Sequence, residues 1–422
     1  MIRVLASSWA LLLGMGLIMV GNGLQATLMG VRGSIEGFST FELSVITSAY
    51  FLGFLAGSRV APEFIRRVGH VRVFAALGSF ISATLILFPA ITDPWAWTLL
   101  RVLLGFCLSG VYVTAESWLN NAATNETRGK SLSAYMIVQM AGIIVAQGIL
   151  VLGDAGGYLL FIIPSVLVSV AFAPILLSIS PTPAFESTKP MTLRQLYEKS
   201  PLGCVGMFLL GGVLSALFGM ASVYASQAGF AVPQISLFIA TIFVGALLLQ
   251  YPIGWLSDRI DRRKLIFGLA ILGALSAVAG VFMDNLYTLV IGIAFVAGGT
   301  ANPLYSLLLA YTNDYLEIDD MAAASGGLLF INGLGAITGP LITGWLMGVF
   351  GPSGFWVFIA VLFIAIAGYA AWRMTQRPAV PVDESGAYVG VTAAATPVAV
   401  QSAQEWAQEQ ARESADDTDP AE

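Results

Sequence analysis

Few residues capable of chemistry lie inside the long apolar stretches of this 422-residue chain, and Arg101 is the sharpest of them. It stands about six residues, or ~9 Å, inside one such stretch. A charge in lipid costs about 2.5–3.5 kcal/mol on insertion scales, so Arg101 must face a cavity or a partner. Its functional readings are ion coupling and substrate contact. The competing reading is a structural arginine that snorkels or bonds to carbonyls. Glu116 follows fifteen residues later on the same stretch, ~22 Å along a helix axis, too far to pair with Arg101. It is either a coupling carboxylate or a gate or anchor facing the loop arginines. Glu42, at the start of another stretch, reads as interfacial.

Neutral polar side chains suit a cavity that must bind and release. Asn22 and Gln25 lie one turn apart and share a helix face. With Tyr112, Gln139, Asn302, Tyr305 and Asn332 they form the expected substrate-binding set. Tyr50, Gln147, Tyr224 and Gln250 are further candidates. Each of these types also serves as helix–helix glue. Asn302-Pro303 predicts a kink, because Pro removes a backbone donor. Glycine pairs such as Gly14/Gly16, Gly21/Gly23, Gly211-Gly212 and Gly298-Gly299 allow close helix approach.

Other chemistries are excluded by what is scarce. The one histidine, His70, falls in a basic loop, and the two cysteines are Cys107 and Cys204. That set cannot build a zinc site, a Ser-His-Asp triad or a disulfide framework. No G-x-x-x-x-G-K-[ST] loop is present, which argues against direct ATP drive. No cofactor, metal, enzymatic activity or nucleic-acid partner is expected.

The elements that position these residues follow from composition. The chain is 57% hydrophobic and 10% charged, against about 25% charged in soluble domains. Crossing the hydrocarbon core takes about 20 apolar residues. Twelve runs qualify: 6–29, 40–62, 73–92, 95–119, 131–153, 158–179, 202–227, 235–256, 265–283, 286–311, 322–349 and 354–373. In lipid each must be a helix, since its backbone groups have no water to bond. The first run is too long for a signal-peptide core and is kept as a helix.

An even number of crossings puts both termini on one side. The turns after the second, fourth, sixth, eighth and tenth runs carry Arg66, Arg67, Arg72, Arg128, Lys130, Lys189, Arg194, Lys199, Arg259, Arg262, Arg263 and Lys264. The opposite turns carry only Arg32. By the positive-inside rule both termini are cytoplasmic, in a bacterial-type inner membrane. Residues 1–179 form one six-helix bundle, 180–200 a cytoplasmic linker with a short surface helix around Leu193–Glu198, and 201–375 a second bundle. From Pro381 onward there are nine acids and one base, so the net charge of −6 belongs to the tail. Residues 376–422 cannot bury a core and are expected to be disordered, with a weak helix at 402–412.

Shifting the chain by 193 residues aligns it with itself. Arg66 meets Arg259, Phe74 meets Phe267, Gly105 meets Gly298, Tyr112 meets Tyr305 and Trp118 meets Tyr311. Asn120 meets Asn313, Glu126 meets Asp319, Gln139 meets Asn332 and Gly142 meets Gly335. Polar and glycine matches at one gapless offset point to a duplicated six-helix unit. Repeats of six helices are parallel, related by an axis along the membrane normal, with a cavity between them near the midplane.

The loop after the eighth run reads Gly254-Trp-Leu-Ser-Asp258-Arg259-Ile-Asp261-Arg262-Arg263-Lys264. This resembles the G-x-x-x-D-R-x-x-R-[RK] loop of the major facilitator superfamily. The first-half counterpart, Gly57 to Arg72, lacks the aspartate and contains Pro62. Arg101-x-x-x-Gly105 is similar to the family's helix-4 arginine motif. Gly333-Leu-Gly335-Ala-Ile-Thr-Gly339-Pro340 in the eleventh run is similar to a Gly-Pro motif that exporters of this superfamily carry in the fifth helix. Ala115-Glu116-Ser117-Trp118-Leu119-Asn120 with Glu126-Thr-Arg128-Gly129-Lys130 is similar to the YcaD-like bacterial branch. The resemblance covers about 1–375. It implies an all-α membrane protein with twelve transmembrane helices in two parallel-related bundles.

It also implies a secondary active transporter working by alternating access, with protons as the coupling ion, Arg101 and Glu116 as coupling residues, and efflux favoured over uptake. Gly254, Asp258, Arg259, Arg262, Arg263, Gly339 and Pro340 are the expected gating residues, and Asp258→Asn is expected to shift the protein toward its inward-open state. A neutral or amphipathic small solute fits the few intramembrane charges better than a polyanion. The expected partners are that solute, protons and the bilayer, with the chain acting as a monomer. The alternatives are a facilitator without ion coupling and a non-transporting sensor on the same fold.

Overall fold

Every apolar run takes the one conformation that satisfies its backbone in lipid. In a computed structural model, residues 2–122, 125–177, 191–283, 286–381, 386, 388–392 and 399 are described. The first half comprises α1 (Ile2–Ile35), α2 (Thr40–Val68), α3 (His70–Ala90), α4 (Pro94–Ala122), α5 (Asn125–Val151) and α6 (Leu159–Leu177). A short helix, α7 (Leu193–Lys199), stands where the surface helix is expected. The second half comprises α8 (Pro201–Ser215), a π turn (Ala216–Met220), α9 (Ala221–Gln227), α10 (Val232–Ser257), α11 (Arg262–Phe282), α12 (Tyr287–Asn313), α13 (Ile318–Phe350) and α14 (Gly354–Met374). No strand occurs among the described residues.

Among the described residues ten helical segments are long and apolar enough to cross a bilayer, one of them (Ala323–Met374) holding both α13 and α14. With the shorter Leu159–Pro174 stretch of α6, twelve crossings result. Large apolar side chains such as Leu99, Leu152, Phe282 and Trp345 are exposed on the outside. In water such a surface would aggregate; in lipid it is the solvated face.

The helices outrun the apolar stretches because caps, not hydropathy, end them. Ser39 and Glu42 form a capping box at the start of α2, which gives Glu42 a local structural role at the interface. The Asp93 carboxylate accepts from the Trp95 and Ala96 amides at 3.0 and 2.8 Å and opens α4. Asp261 caps α11 by accepting from the Arg263 amide at 2.9 Å. Pro303 sits inside α12, which continues through it; a separate departure from α-helical regularity is the π turn in the seventh crossing.

The two halves repeat each other's packing. α2 lies on α4 as α10 lies on α12, α1 on α5 as α8 on α13, and α3 on α6 as α11 on α14. The glycines expected to align do the same job. A Cβ on Gly105 would stand 2.1 Å from the Tyr50 carbonyl oxygen, and one on Gly298 2.1 Å from that of Ile242. Gly142 packs α5 against Met19 of α1, and Gly335 packs α13 against Phe208 of α8.

The halves meet mainly toward the face opposite the basic loops. There Gly344 abuts Ser44 and Gly30 abuts Ser222, and Ser48 Oγ donates to the Ile337 carbonyl at 2.5 Å. Ser236 Oγ donates to the Gln147 carbonyl at 2.5 Å. Nearer the basic face the Arg59 guanidinium sits 4.5 Å over the Phe330 ring.

Two expectations change. His70 is not a loop residue: it begins α3, is buried, and stacks on Trp118 with centroids 6.2 Å apart. The tail is not disordered throughout, for Tyr388, Val389, Gly390, Val391 and Thr392 pack onto the second half. Average composition hides this, because the acids of the tail are clustered elsewhere and this stretch is apolar. The expected helix at 402–412 lies outside the described residues.

Candidate functional site

A cavity of about 190 Å³ opens between the halves. Its wall draws on α1, α2, α4 and α5 from one half and on α8 to α10, α12 and α13 from the other. Of the expected substrate-binding set, Asn22, Tyr112, Gln139, Asn302 and Asn332 line it, and so does Arg101. Gln25 stands behind Arg101, whose Nη1 donates to Gln25 Oε1 at 2.8 Å. Tyr305 is buried beside the wall rather than in it.

Arg101 is 4% exposed, and its guanidinium lies 4.6 Å over the Tyr50 ring. Cation–π contact and an amide oxygen hold the charge in place without neutralising it. Among the described residues no carboxylate ion pair to Arg101 is found, and its Nε has no hydrogen-bond partner. Asn22 Oδ1, Gln139 Nε2 and Asn302 Oδ1 are also buried without a partner. Buried polar groups are nearly always satisfied, and these four atoms belong to residues that line one cavity. Gln139 and Asn332, matched by the internal repeat, stand on opposite halves of the wall. Asn332 spends its Nδ2 on the Met207 carbonyl at 3.0 Å.

Glu116 does not line the cavity. It is 2% exposed, and the Tyr135 hydroxyl donates to its Oε1 at 3.3 Å.

The loop residues expected to gate form one cluster at the basic end of the second half. Arg262 is buried and pairs with Asp314 at 2.5 Å, with Asp258 at 3.5 Å. Arg263 pairs with Asp261 at 2.8 Å and donates to the Arg377 carbonyl at 2.6 Å. Arg259 is exposed and lies 4.1 Å over Trp255. Burial raises the Asp314 carboxyl above its usual range despite the nearby Arg262 guanidinium. Burial also acts to raise Asp261, but the hydrogen bonds and charge of Arg263 outweigh it and hold that carboxyl low. Gly254 has no room for a side chain, since a Cβ would meet the Tyr388 ring at 2.6 Å. Gly339, beside Pro340 in α13, leaves a Cβ only 2.3 Å from Ser215 Oγ, so α13 rides directly on α8.

The Major Facilitator Superfamily profile matches residues 11–242 and 203–406. The chain belongs to the major facilitator superfamily. An uncharacterized MFS-type transporter of Yersinia pestis is 28% identical over 369 residues, covering 85% of this chain and 92% of the relative. The uncharacterized MFS-type transporter YcaD of Escherichia fergusonii is 25% identical over 358 residues, covering 83% and 91%. Among solved structures, the nucleoside transporter NupG is 14% identical with a TM-score of 0.70, covering 88% of this chain and 99% of that one. A bacterial homologue of the human lysosomal transporter Spinster, inward-facing and unoccupied, is 14% identical with a TM-score of 0.69, covering 96% and 98%. The resemblance carried by the loop and helix-4 motifs is thus borne out, and these similarities support membrane transport for this superfamily member.

Sequence reasoning passed over the aromatic wall. Phe51, Phe54, Phe218 and Phe243 line the cavity. In a chain with 25 phenylalanines nothing in type or spacing separates them from packing residues. Phe243 does carry a signal: it is the repeat mate of Tyr50, 193 residues away. Thr392 of the tail also lines the cavity, and no sequence signal pointed to it.

Proposed function

We propose that this protein is a secondary active transporter of a small amphipathic solute bearing one anionic or strongly accepting group. The carrying observation is Arg101, a buried cation with no acidic partner among the described residues, in an aromatic-lined cavity between two six-helix halves. A single charge fits a carboxylate-sized acceptor. The flanking rings of Tyr50, Phe51, Phe54, Phe218 and Phe243 fit an apolar body of modest size.

The basic face is cytoplasmic, by the excess of Lys and Arg in its loops. The halves meet mainly on the opposite face, periplasmic on this reading, which supports an inward-facing state of an alternating-access cycle. α13 rocks against α8 at Gly335 and Gly339-Pro340, where no side chain impedes it. Asp258, Arg259, Arg262 and Arg263, with Gly254 behind them, meet the first half when the cytoplasmic face closes. Protons drive the cycle, with Glu116 as the buried carboxylate and Arg101 as the fixed charge that solute and proton both sense. The Gly-Pro step in α13 favours efflux.

Counterflow of aromatic monocarboxylates in proteoliposomes, with and without an imposed pH gradient, tests this. Counterflow accelerated by the gradient and lost in Arg101→Ala is expected. Saturable binding without any counterflow would instead identify a sensor, and counterflow indifferent to the gradient a facilitator.

A further inference from the structure

The tail makes a specific set of contacts that a solvated terminus would not. Ser306 Oγ donates to the Val391 carbonyl at 2.9 Å while the Val391 amide donates back to Ser306 Oγ at 3.0 Å. The Tyr388 amide donates to Asp258 at 2.8 Å, and the Tyr388 hydroxyl accepts from Gln250 Nε2 at 2.9 Å. Gly386 binds through both of its backbone groups: its amide donates to Asp314 at 3.2 Å and its carbonyl accepts from Arg262. Gly254 and Gly390 give the room, since a Cβ on either would collide with Tyr388 or Gln250. Val391 is 3% exposed.

The segment also reaches across the cavity. Thr392 lines it and its hydroxyl donates to Gln139 of the first half at 3.5 Å. Gln250, which holds Tyr388, also accepts from Asn302 of the cavity wall at 3.0 Å. One side chain therefore touches both tail and solute site.

We propose that the basic end of the second half is a docking groove for the chain's own tail, Gly386 and Tyr388–Thr392. Docked there, the segment covers the cytoplasmic mouth of the cavity and stands between the halves, so that face cannot close until the tail withdraws. The tail then restrains turnover in the protein at rest. Its effect on turnover rests on the transporter reading above; its docking does not. Asp258 has two alternating partners: the Tyr388 amide in this state, and the first half once the tail has left.

The test uses full-length protein with Cys107 and Cys204 replaced by serine. Thr392→Cys is expected to react with a bulky water-soluble maleimide at least about tenfold more slowly than Arg194→Cys, as a docked segment is protected. Val391→Asp, which places a carboxylate in the apolar groove, is expected to restore fast labelling. Fast labelling in both backgrounds overturns docking. Spin labels on Arg66→Cys and Lys264→Cys, one on each half and both exposed, then report closure. A new shorter-distance population on Val391→Asp, or on removal of 381–422, is expected; an unchanged distribution overturns the restraint. Neither readout measures transport. Protection and closure without counterflow would retain the groove and remove the transporter reading.

Discussion

In the first half Gly105 lies against the Tyr50 carbonyl, and in the second Gly298 lies against that of Ile242. Gly142 and Gly335 likewise seat α5 on α1 and α13 on α8. At the same offset of 193 residues, however, Arg101 meets Ala294, Glu116 meets Leu309 and Asn22 meets Ser215. The second half has its own specialisation: Asp258 occupies the position where the first half has Ile65. At these two pairs of positions the close approach is kept in both copies, because only glycine fits there. The charges differ between the copies: Arg101 and Glu116 stand in the first half, and the Asp258, Arg262 and Asp314 cluster stands in the second. Duplication explains the scaffold, and divergence on it explains the chemistry.

The sharpest way to break this comparison is to exchange the chemistry. Ala294→Arg puts a cation at the position matching Arg101, without the Tyr50 ring and Gln25 amide that hold the native one. It should lose about 2.5–3.5 kcal/mol, the insertion cost of an unsupported charge, seen as lost monodisperse yield. Arg101→Ala should keep the fold and reduce transport by roughly 10–100-fold, the worth of one charged hydrogen bond. If Ala294→Arg is tolerated and active, the halves are interchangeable and the division of labour fails.

Next in size come the shared contacts. Gly105→Ala and Gly298→Ala should each destabilise by about 1–3 kcal/mol, the usual penalty of overpacking, and by similar amounts in thermal melts. A large loss in one and none in the other would mean that the repeat does not extend to packing. Smallest are the facing amides. Gln139→Ala, which removes an unsatisfied donor at the cavity, should weaken solute affinity by a few-fold, about 0.5–1.5 kcal/mol for one neutral hydrogen bond. Asn332→Ala should weaken it less, because that amide already serves the Met207 carbonyl. Solute titrations on the two variants measure both.

Much of this was legible beforehand for a physical reason. Lipid leaves the backbone one solution, so hydropathy alone places twelve helices, and a gapless offset reveals their pairing. Arg101 was legible because a buried charge is costly and therefore rarely accidental. Five of the seven expected cavity residues line the wall, since amides and tyrosines inside lipid need partners. The wall phenylalanines other than Phe243 were not legible, because Phe218 facing a cavity and Phe238 facing the core look the same in sequence. Nor was the tail: its acids dominate its composition, and docking is decided by Tyr388 to Thr392 meeting Ser306 and Gln250, a tertiary match that periodicity cannot encode.

The most direct test of the central claim, that Arg101 in the inter-half cavity binds the anionic end of a small amphipathic solute, is a thermal melt of purified protein. The ligands are an aromatic monocarboxylate and its neutral amide, each given to the native protein and to Arg101→Ala. At about 100 times its dissociation constant a bound ligand stabilises by about 2.7 kcal/mol. The carboxylate is expected to raise the native midpoint well above the amide, and the difference to vanish in Arg101→Ala. Equal shifts from acid and amide, or a carboxylate preference that survives Arg101→Ala, would contradict it.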